Sequence, residues 1–456
     1  MSKPGIPQGT RDFTAETLRK RNFILNTIRR EFELYGFQPL ETPAMENLET
    51  LMGKYGEEGD KLIFKILNNG LNDPKNTDKA KEGFEKLMDG KNSPLLTERA
   101  LKYDLTIPFA RFVAMNHGQL TFPYKRYQIQ PVWRADRPQK GRYREFTQCD
   151  ADVVGSKSLL NEIELANIYH AVFSRLGIDG YQLKINNRKI LSALAEHCGG
   201  ADKLTDITIA IDKLDKIGID KVKEELKVKG LSDDQINSIE KYLCISGNNE
   251  QKLSAIKDLL GGFTQAIEGI DELNHILQNS QKVHLSVDFT LARGLNYYTG
   301  TIFEVKAPEE VKIGSIGGGG RYDDLTGLFG VSGIPGVGIS FGVDRIYDVM
   351  EEMQLFPVDL QTGSTALFFN MGDKESLFAF NVMQQLREAG ISCEIYHEHA
   401  KMDKQFKYAE KKKIKYAVII GSKEMEESIC LVKNLSTGTQ QSIPVSQLQT
   451  VIFDQV

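Results

Sequence analysis

The sequence predicts an α+β protein with an antiparallel sheet, a helical insertion and a C-terminal α/β domain. Its 456 residues suffice for about three domains at roughly 150 residues each. Three stretches carry the prediction: a long hairpin pattern over residues 125–153, mixed-charge helical segments over 187–277, and strands alternating with helices beyond residue 364. The composition, 41% hydrophobic and 26% charged, is typical of a soluble globular protein.

The first part of the chain combines a helix, a short strand and a surface excursion. Apolar residues recur at helical spacing through residues 14–35, which predicts an amphipathic helix. Phe37–Leu40 is predicted as a short strand. Residues 67–94 are rich in Asn, Gly, Asp and Lys, and they predict a long excursion with one short helix near Lys79–Leu87.

The hairpin is the most informative stretch. Two strand-like runs, Tyr127–Arg134 and Tyr143–Val153, flank the polar loop Ala135–Gly141. Because side chains alternate along a strand, one face of the second run carries five residues: Arg144, Phe146, Gln148, Asp150 and Asp152. An aromatic ring, an amide and carboxylates in a row suit an elongated ligand with a flat end and a cationic end. The alternative is a solvent-facing amphipathic hairpin.

Residues 283–341 return to a strand pattern. Asp288–Val305 is predicted to be strand-like on both sides of Arg293, where the adjacent glycine lets a phosphate approach without Cβ crowding. Tyr297 and Tyr298 are expected to face opposite sides. The run Gly317–Gly320 predicts either close backbone approach to a ligand or a flexible turn.

A strand-to-helix junction follows at Gly342–Arg345, where the helix N-terminus and Arg345 both favour an anionic phosphate, although such an arginine is otherwise often a surface residue. Together with Arg134 and Arg293, this arginine suits a triphosphate nucleotide. Beyond residue 364, five elements alternate as strand, helix, strand, helix and strand: Ala366–Asn370, Lys374–Ala389, Ile391–Tyr396, Met402–Lys413 and Tyr416–Ile420.

The sequence argues against several kinds of binding site, against a disulfide scaffold and against a membrane or secreted protein. The chain has no G-x-x-x-x-G-K-[ST] phosphate loop, no dinucleotide fingerprint and no H-E-x-x-H or Cys/His cluster, so no metal site is predicted. Its 5 cysteines are scattered, which argues against a disulfide scaffold. No apolar run approaches the roughly 18 residues of a membrane helix, and the N-terminus lacks an apolar signal core, so we expect a cytoplasmic protein. With a net charge of −5, a nucleic-acid partner must meet local basic surface.

These residues resemble the histidyl-tRNA synthetases, a family of class II aminoacyl-tRNA synthetases. Phe37–Pro43, Val132–Phe146 and Gly338–Arg345 resemble the three motifs that define the class. Leu291–Tyr298 and Gly318–Asp323 resemble the two signatures peculiar to the histidine enzymes. The resemblance implies a catalytic domain in two parts, at residues 1–186 and 278–360. A helical insertion would occupy residues 187–277, and an anticodon-binding domain residues 364–456.

The resemblance also implies the reaction and its partners. ATP activates L-histidine to a histidyl-adenylate, with release of pyrophosphate, and the histidyl group then passes to tRNA(His), with release of AMP. Mg²⁺ is expected on the ATP phosphates, and the chain is expected to be a homodimer.

Roles for individual residues follow by the same resemblance. Arg134 would hold the α-phosphate, Phe146 would stack on adenine and Arg345 would bind the γ-phosphate. Arg293 would stabilise charge at the α-phosphate, where most class II enzymes place a metal.

Seven residues would bind histidine. Asp104, Thr106 and Gln148 would bind the α-amino nitrogen. The Asp152 carboxylate and the Tyr298 phenol would bind the imidazole nitrogens. Tyr297 and Tyr322 would be two further tyrosines of the pocket.

Two basic segments are candidates for tRNA contact. The loop residues Arg137, Gln139 and Arg142 would meet the acceptor stem, which the insertion is expected to clamp. Lys404, Lys407 and Lys411 fall on one helical face, which is either a solvated basic face or a contact with the anticodon stem.

The sequence departs from the family pattern at two positions, with Asn296 where Asp is usual and Lys102 where Arg is common.

Three other functions are alternatives to a histidyl-tRNA synthetase. A non-catalytic paralogue, such as a regulatory subunit of histidine biosynthesis, typically loses the Arg293 signature or the C-terminal domain, and both are present. A class II synthetase for proline or glycine would lack the two histidine-type signatures. A binding module without chemistry leaves three arginines in motif context unexplained.

Overall fold

The computed structural model describes residues 3–52, 60–292, 297–357, 360 and 363–453, with side chains described as far as residue 450. The chain forms two compact units, one within residues 1–12 and 21–355 and the other within 13–20 and 356–456. Antiparallel sheets and segregated helices confirm the predicted α+β class. No helix in these ranges is long and apolar enough to cross a membrane.

An eight-stranded sheet is the framework of the first unit. Its interior pairs are antiparallel and its two outermost pairs are parallel. Numbered along the chain and given in their order across the sheet, the strands are β1 (Gln38–Pro39), β5 (Tyr124–Trp133), β6 (Glu145–Val154), β11 (Pro335–Gly342), β10 (Ser315–Asp323), β9 (Thr301–Lys306), β7 (Gln182–Asn187) and β8 (Leu285–Val287).

A second, three-stranded antiparallel sheet has the order β2, β4, β3, with β2 at Met45–Asn47, β3 at Lys65–Ile66 and β4 at Arg99–Leu101. The helices beside the two sheets are α1 (Ala15–Leu34), α2 (Leu48–Leu51), α3 (Thr77–Met88), α4 (Thr106–Asn116), α5 (Leu160–Leu176) and α13 (Val343–Glu352). The predicted short helix in the excursion is confirmed as α3.

One face of the large sheet is closed by an aromatic core. Phe341 of β11 lies with its ring centroid 5.8 Å from that of Phe32 on α1 and 4.8 Å from that of Tyr169 on α5. Tyr127 of β5 joins the same cluster, 5.6 Å from Phe32. Because residues alternate along strands, the neighbours of Phe341 and Tyr127 in sequence point to the other face.

The predicted hairpin is confirmed as β5 and β6, and its register aligns the polar residues of both strands. Arg126 pairs with Asp152, Gln128 with Asp150 and Gln130 with Gln148. The glycine run is strand rather than turn, since Gly317–Gly320 lies within β10.

The strand predicted on both sides of Arg293 is confirmed over residues 301–305, which lie in β9, and is wrong at Asp288. β8 ends at Val287, because the Asp288 carboxylate accepts hydrogen bonds from the Thr290 backbone nitrogen (2.9 Å) and hydroxyl (2.6 Å), which turns the chain. Tyr297 and Tyr298 therefore do not face opposite sides of a strand. Their ring centroids lie 4.9 Å apart in one cluster.

Helices fill the stretch predicted as helical. They are α6 (Arg188–His197), α7 (Leu204–Asp212), α8 (Leu214–Ile217), α9 (Ile219–Val228), α10 (Asp233–Leu243), α11 (Asn249–Leu260) and α12 (Thr264–Asn279). They belong to the first compact unit. Their standing as a separate domain remains a prediction.

The second unit has a five-stranded mixed sheet with helices on both faces, and the predicted alternation is confirmed. Its strands, in order across the sheet, are β13 (Cys393–Ile395), β12 (Ala366–Phe368), β14 (Tyr416–Ile419), β15 (Ile429–Asn434) and β16 (Gln440–Pro444). Its helices include α14 (Asp373–Glu388), α15 (Met402–Lys411), α16 (Ser422–Glu427) and α17 (Leu448–Phe453). Apolar side chains of α14 and α15 fill two cores, one on each face.

Candidate active site

A row of buried polar side chains lines the face of the β5–β6 hairpin that lies opposite the aromatic core. Arg126 and Gln128 are fully buried, and Asp150 and Asp152 are each only 3% exposed. Burying a charged group is costly unless it is paired or hydrogen-bonded, so such a row indicates a binding site or a specific network rather than a solvated surface. The alternative of a solvent-facing hairpin is wrong.

Asp152 is held by two neighbours. Its Oδ2 lies 2.9 Å from Nη2 of Arg126, and its Oδ1 accepts a hydrogen bond of 2.5 Å from the Tyr322 hydroxyl. Burial raises the pKa of Asp152, while Arg126 and Tyr322 act in the opposite direction by favouring the carboxylate. The geometry fixes the orientation of this carboxyl group.

Glycines on the neighbouring strands make room for these side chains. Gly338 of β11 stands opposite Asp152 in register, and a Cβ added there would overlap the Asp152 carboxylate. A Cβ on Gly320 of β10 would lie 2.9 Å from the ring of Tyr298. Glycine is therefore required at these positions for lack of space, not for backbone conformation.

Three tyrosines form one wall beside Asp152. The Tyr297 ring lies edge-on to the rings of Tyr298, at 4.9 Å, and Tyr322, at 5.9 Å. Tyr297 also hydrogen-bonds the side chain of Thr106, the first residue of α4. Burial raises the pKa of Tyr298, and the carboxylates of Asp152 and Asp150 raise it further. These phenols stay protonated and act as hydrogen-bond donors.

Asp104 precedes α4 and caps it. Its Oδ1 accepts from the backbone nitrogen of Ile107 at 3.3 Å. Burial raises the pKa of Asp104 to about 7, even though the nearby Arg134 acts in the opposite direction. An acid balanced in this way becomes fully ionised when a cationic group arrives beside it.

Gln148 is linked to Asp150 through a serine of the next strand. Gln148 Nε2 donates to Ser340 Oγ at 3.1 Å, and Ser340 also hydrogen-bonds Asp150. Oε1 of Gln148 and Oδ1 of Asp150 are buried and have no hydrogen-bond partner among the described atoms. Buried acceptors without donors are costly, so these atoms favour a ligand that brings N–H groups.

Lys102 lies at the base of the polar row, where it is only 1% exposed. Its ammonium group donates to the Thr42 carbonyl at 3.0 Å and to Gln130 Oε1 at 2.5 Å. Burial lowers the pKa of Lys102 to about 8. A lysine therefore satisfies this position, where the family commonly has arginine.

An open cavity of about 290 Å³ adjoins the polar row at the Phe146 end. Its walls combine cationic, aromatic and glycine positions from the hairpin, its loop, β10, β11 and the start of α13; they include Arg134, Arg142, Tyr143, Phe146, Gln148, Gly317, Gly318, Ser340, Asp344 and Arg345. The Arg134 guanidinium lies 5.1 Å from the centroid of the Phe146 ring. Arginines beside a half-buried ring at the cavity wall suit a phosphorylated, flat ligand.

Arg134 and Arg345 are both held by backbone carbonyls. Arg134 Nε donates to the Tyr103 carbonyl at 2.9 Å. Arg345 donates to the carbonyls of Gly141, at 2.8 Å, and Ser315, at 2.6 Å. Each guanidinium is thus oriented in advance at the wall of the cavity.

The remaining predicted residues are distributed differently. Arg293 and Asn296 lie outside the described residues. Arg137 and Gln139 are exposed on the hairpin loop and are not among the residues lining the cavity, whereas Arg142 is. Lys404, Lys407 and Lys411 are exposed on α15 of the second unit.

Sequence reasoning missed two members of the site, Arg126 and Ser340, and it gave Asp150 a place on the polar face but no individual role. A signal for Arg126 was present, because Arg126, Gln128 and Gln130 alternate along the first hairpin strand just as the acids do along the second. Ser340 carried no such signal, since its contact with Gln148 depends on a long-range strand pairing.

We expect the Asp150→Asn variant to lose less stability than the unmodified chain as the pH rises. Burial raises the pKa of Asp150 to about 7, above that of an unfolded aspartate. The stability from this group is fully present below about pH 4 and is lost as the pH rises through about 7. Relative to the variant, the unmodified chain should lose urea resistance between about pH 5 and about pH 8. Fluorescence of the single tryptophan, Trp133 in β5, reports the transition.

Asp179→Asn is the matched control, because Asp179 is exposed. Its urea midpoint should follow that of the unmodified chain at each pH. A difference between the unmodified chain and Asp150→Asn that does not change with pH would contradict the assignment.

Comparison with known proteins agrees with this geometry. The family model described as "Histidyl-tRNA synthetase" matches residues 9–346, and the one described as "Anticodon binding domain" matches residues 367–455. A protein of Christiangramia forsetii named "Histidine--tRNA ligase" is 52% identical over 455 residues, which cover 98% of each chain. A protein of Bacteroides fragilis (strain YCH46) with the same name is 53% identical over 454 residues, again 98% of each.

A solved structure gives the same result at the level of the fold. The crystal structure of histidyl-tRNA synthetase from Nostoc sp. PCC 7120 superposes with a TM-score of 0.83, at 31% identity, over 100% of both chains. The similarity extends over the full lengths of both proteins. The chain therefore belongs to the histidyl-tRNA synthetase family.

Proposed function

We propose that this chain catalyses the ATP-dependent ligation of L-histidine to tRNA(His), with histidine on the buried polar row and ATP in the adjoining cavity. The family and its full-length relatives support the reaction. The observation that carries the assignment of the two subsites is the continuity of one sheet face. Asp152, Asp150, Gln148 and Phe146 follow one another along it, from the enclosed carboxylates to the open cavity.

Histidine binds with its ring between Asp152 and Tyr298. A carboxylate at one ring nitrogen and a phenol at the other read both nitrogens, and Tyr322 orients the carboxylate through its 2.5 Å hydrogen bond. The α-ammonium group meets Asp104, Thr106 and Gln148. Arrival of this cation favours ionisation of the Asp104 carboxyl group, whose pKa burial raises to about 7.

ATP binds in the cavity with adenine on Phe146. Arg134 contacts the α-phosphate and Arg345 the γ-phosphate, and both are preoriented by backbone carbonyls. Among the residues that the structure describes, no group of three or more His, Cys, Asp or Glu side chains converges on a point. The family resemblance implies Mg²⁺ on the ATP phosphates, where it would neutralise phosphate charge.

The reaction has two steps. The histidine carboxylate attacks the α-phosphorus, a new P–O bond forms, and pyrophosphate leaves. A ribose hydroxyl of the terminal adenosine of tRNA(His) then attacks the carbonyl carbon of the adenylate, and AMP leaves. The protein contributes mainly position and charge: Arg134 and Arg293 stabilise the α-phosphate as negative charge develops.

Contacts with tRNA complete the proposal. The exposed loop residues Arg137, Gln139 and Arg142 meet the acceptor stem, and the α15 lysines meet the anticodon stem. The enzyme is proposed to act as a cytoplasmic homodimer, as its family resemblance implies.

An amino-acid panel in ATP–pyrophosphate exchange tests the function. L-Histidine should support exchange at least about a thousandfold better than proline or glycine, because a side chain without two ring nitrogens leaves buried polar groups unpaired. Histidine methylated at either ring nitrogen should also be rejected, since both nitrogens are bound. Exchange driven by another amino acid, or equal use of the methylated forms, would contradict the proposal.

Arg293→Ala should lower the rate of ATP–pyrophosphate exchange by about a hundredfold to a thousandfold, the usual effect of removing one charge-stabilising donor. The dissociation constant for histidine should change little. Arg293→Lys should recover part of the rate, because it restores the charge. Arg30→Ala, at an exposed position of α1, is the control. A near-normal exchange rate for Arg293→Ala would rule out the assigned role.

Replacing Lys404, Lys407 and Lys411 together by Glu should raise the KM for tRNA about tenfold or more and weaken its dependence on salt, because phosphate contacts release counterions. Exchange without tRNA should be unaffected. Lys79→Glu with Lys81→Glu on α3 measures the general effect of charge reversal. An unchanged KM for tRNA would assign these lysines to a solvated face.

A further inference from the structure

The N-terminal segment Pro7–Arg11 packs against the hairpin loop that walls the nucleotide cavity. It forms a turn in which the Thr10 backbone nitrogen donates to the Pro7 carbonyl at 3.1 Å. The backbone nitrogen of Arg144, at the end of the loop, donates to the Gly9 carbonyl at 2.9 Å. The segment therefore extends the backbone hydrogen bonding of the loop.

The packing around Gly9 is close. Gly9 has a φ of +85°, and a Cβ there would lie 2.8 Å from side-chain carbons of both Arg144 and Pro138. The turn thus contacts the middle of the loop at Pro138 and its end at Arg144.

Arg11 connects this turn to two residues that line the cavity. Its guanidinium lies 3.3 Å above the centroid of the Tyr143 ring, and Nη2 forms an ion pair with the Asp344 carboxylate. Tyr143 and Asp344 both line the cavity. A cation stacked on the ring and paired with the acid holds the loop against the first turn of α13.

Asp344 is the centre of this network. Its Oδ1 also lies 2.5 Å from Nη1 of Arg21, and its Oδ2 accepts from the Thr147 backbone nitrogen at 3.2 Å. Asp344 directly precedes Arg345 in α13, so the contacts that fix its first turn also fix the backbone of Arg345.

We propose that Arg11 is a positioning residue for the nucleotide subsite, and that the segment Pro7–Arg11 holds the loop in the form that binds ATP. The identity of the nucleotide rests on the proposed function. Arg11 acts through Tyr143 and Asp344, which line the nucleotide cavity, whereas Asp152 does not line it. The segment should consequently affect ATP and histidine unequally.

Equilibrium dialysis with labelled ATP and, separately, labelled histidine tests the inference on the full chain. Arg11→Ala should weaken ATP binding about tenfold, because it removes the stacked cation and one partner of Asp344. Histidine binding should change less than about twofold. Arg11→Lys keeps the charge but not the planar stack, and it should recover part of the affinity. Arg30→Ala, an exposed arginine of α1, should match the unmodified chain.

Deleting residues 1–11 is the second variant and should reproduce the loss for ATP. Unchanged ATP affinity in both variants would overturn the inference, as would an equal loss for ATP and histidine, which indicates general unfolding. Because these are binding measurements, they do not depend on turnover. A chain that binds ATP but supports no histidine-dependent exchange would fail the proposed function and leave the test of Arg11 intact.

Discussion

The buried contact of Asp152 with Arg126 and Tyr322 is the constraint on which the site depends. A carboxylate on the inner face of a sheet is stable only if a cation and a donor meet it there. Arg126 reaches it from the paired position on β5, and Tyr322 reaches it from β10 across β11. The intervening strand must then lack side chains at that level, which is why Gly338 stands opposite Asp152. The glycine at position 338 thus follows from the chemistry of one acid.

The site also contains two further buried acids, Asp104 and Asp150. Burial raises the pKa of both Asp104 and Asp150 to about 7, and each is opposed by nearby arginines. Buried acids with raised pKa values are typical of binding sites, and they would suit the cationic amino acid of the proposed function.

Much of this arrangement was predictable from sequence, and the exceptions have physical reasons. Alternation along 143–153 located the polar face, because strand periodicity is local. The turn at Asp288 was not predictable, because it depends on the Asp288 carboxylate capturing a backbone amide. Contacts such as Ser340 with Gln148 depend on strand order, which one sequence does not reveal.

Arg126 and Arg293 differ in how the sequence could identify them. Arg126 could have been found by extending the alternation of the hairpin to its first strand, where its register with Asp152 is direct. Arg293, identified by family resemblance, lies outside the described residues, and its role remains a prediction. The β-sheet face and the cavity stand independently of it.

A crystal structure of the chain with L-histidine and ATP tests the central claim most directly. The account predicts the imidazole bonded to Asp152 and Tyr298, adenine on Phe146, and the histidine carboxylate about 3–3.5 Å from the α-phosphorus, which is the distance for attack. Histidine and the α-phosphate in separate cavities, or a ring that does not contact Asp152, would contradict it.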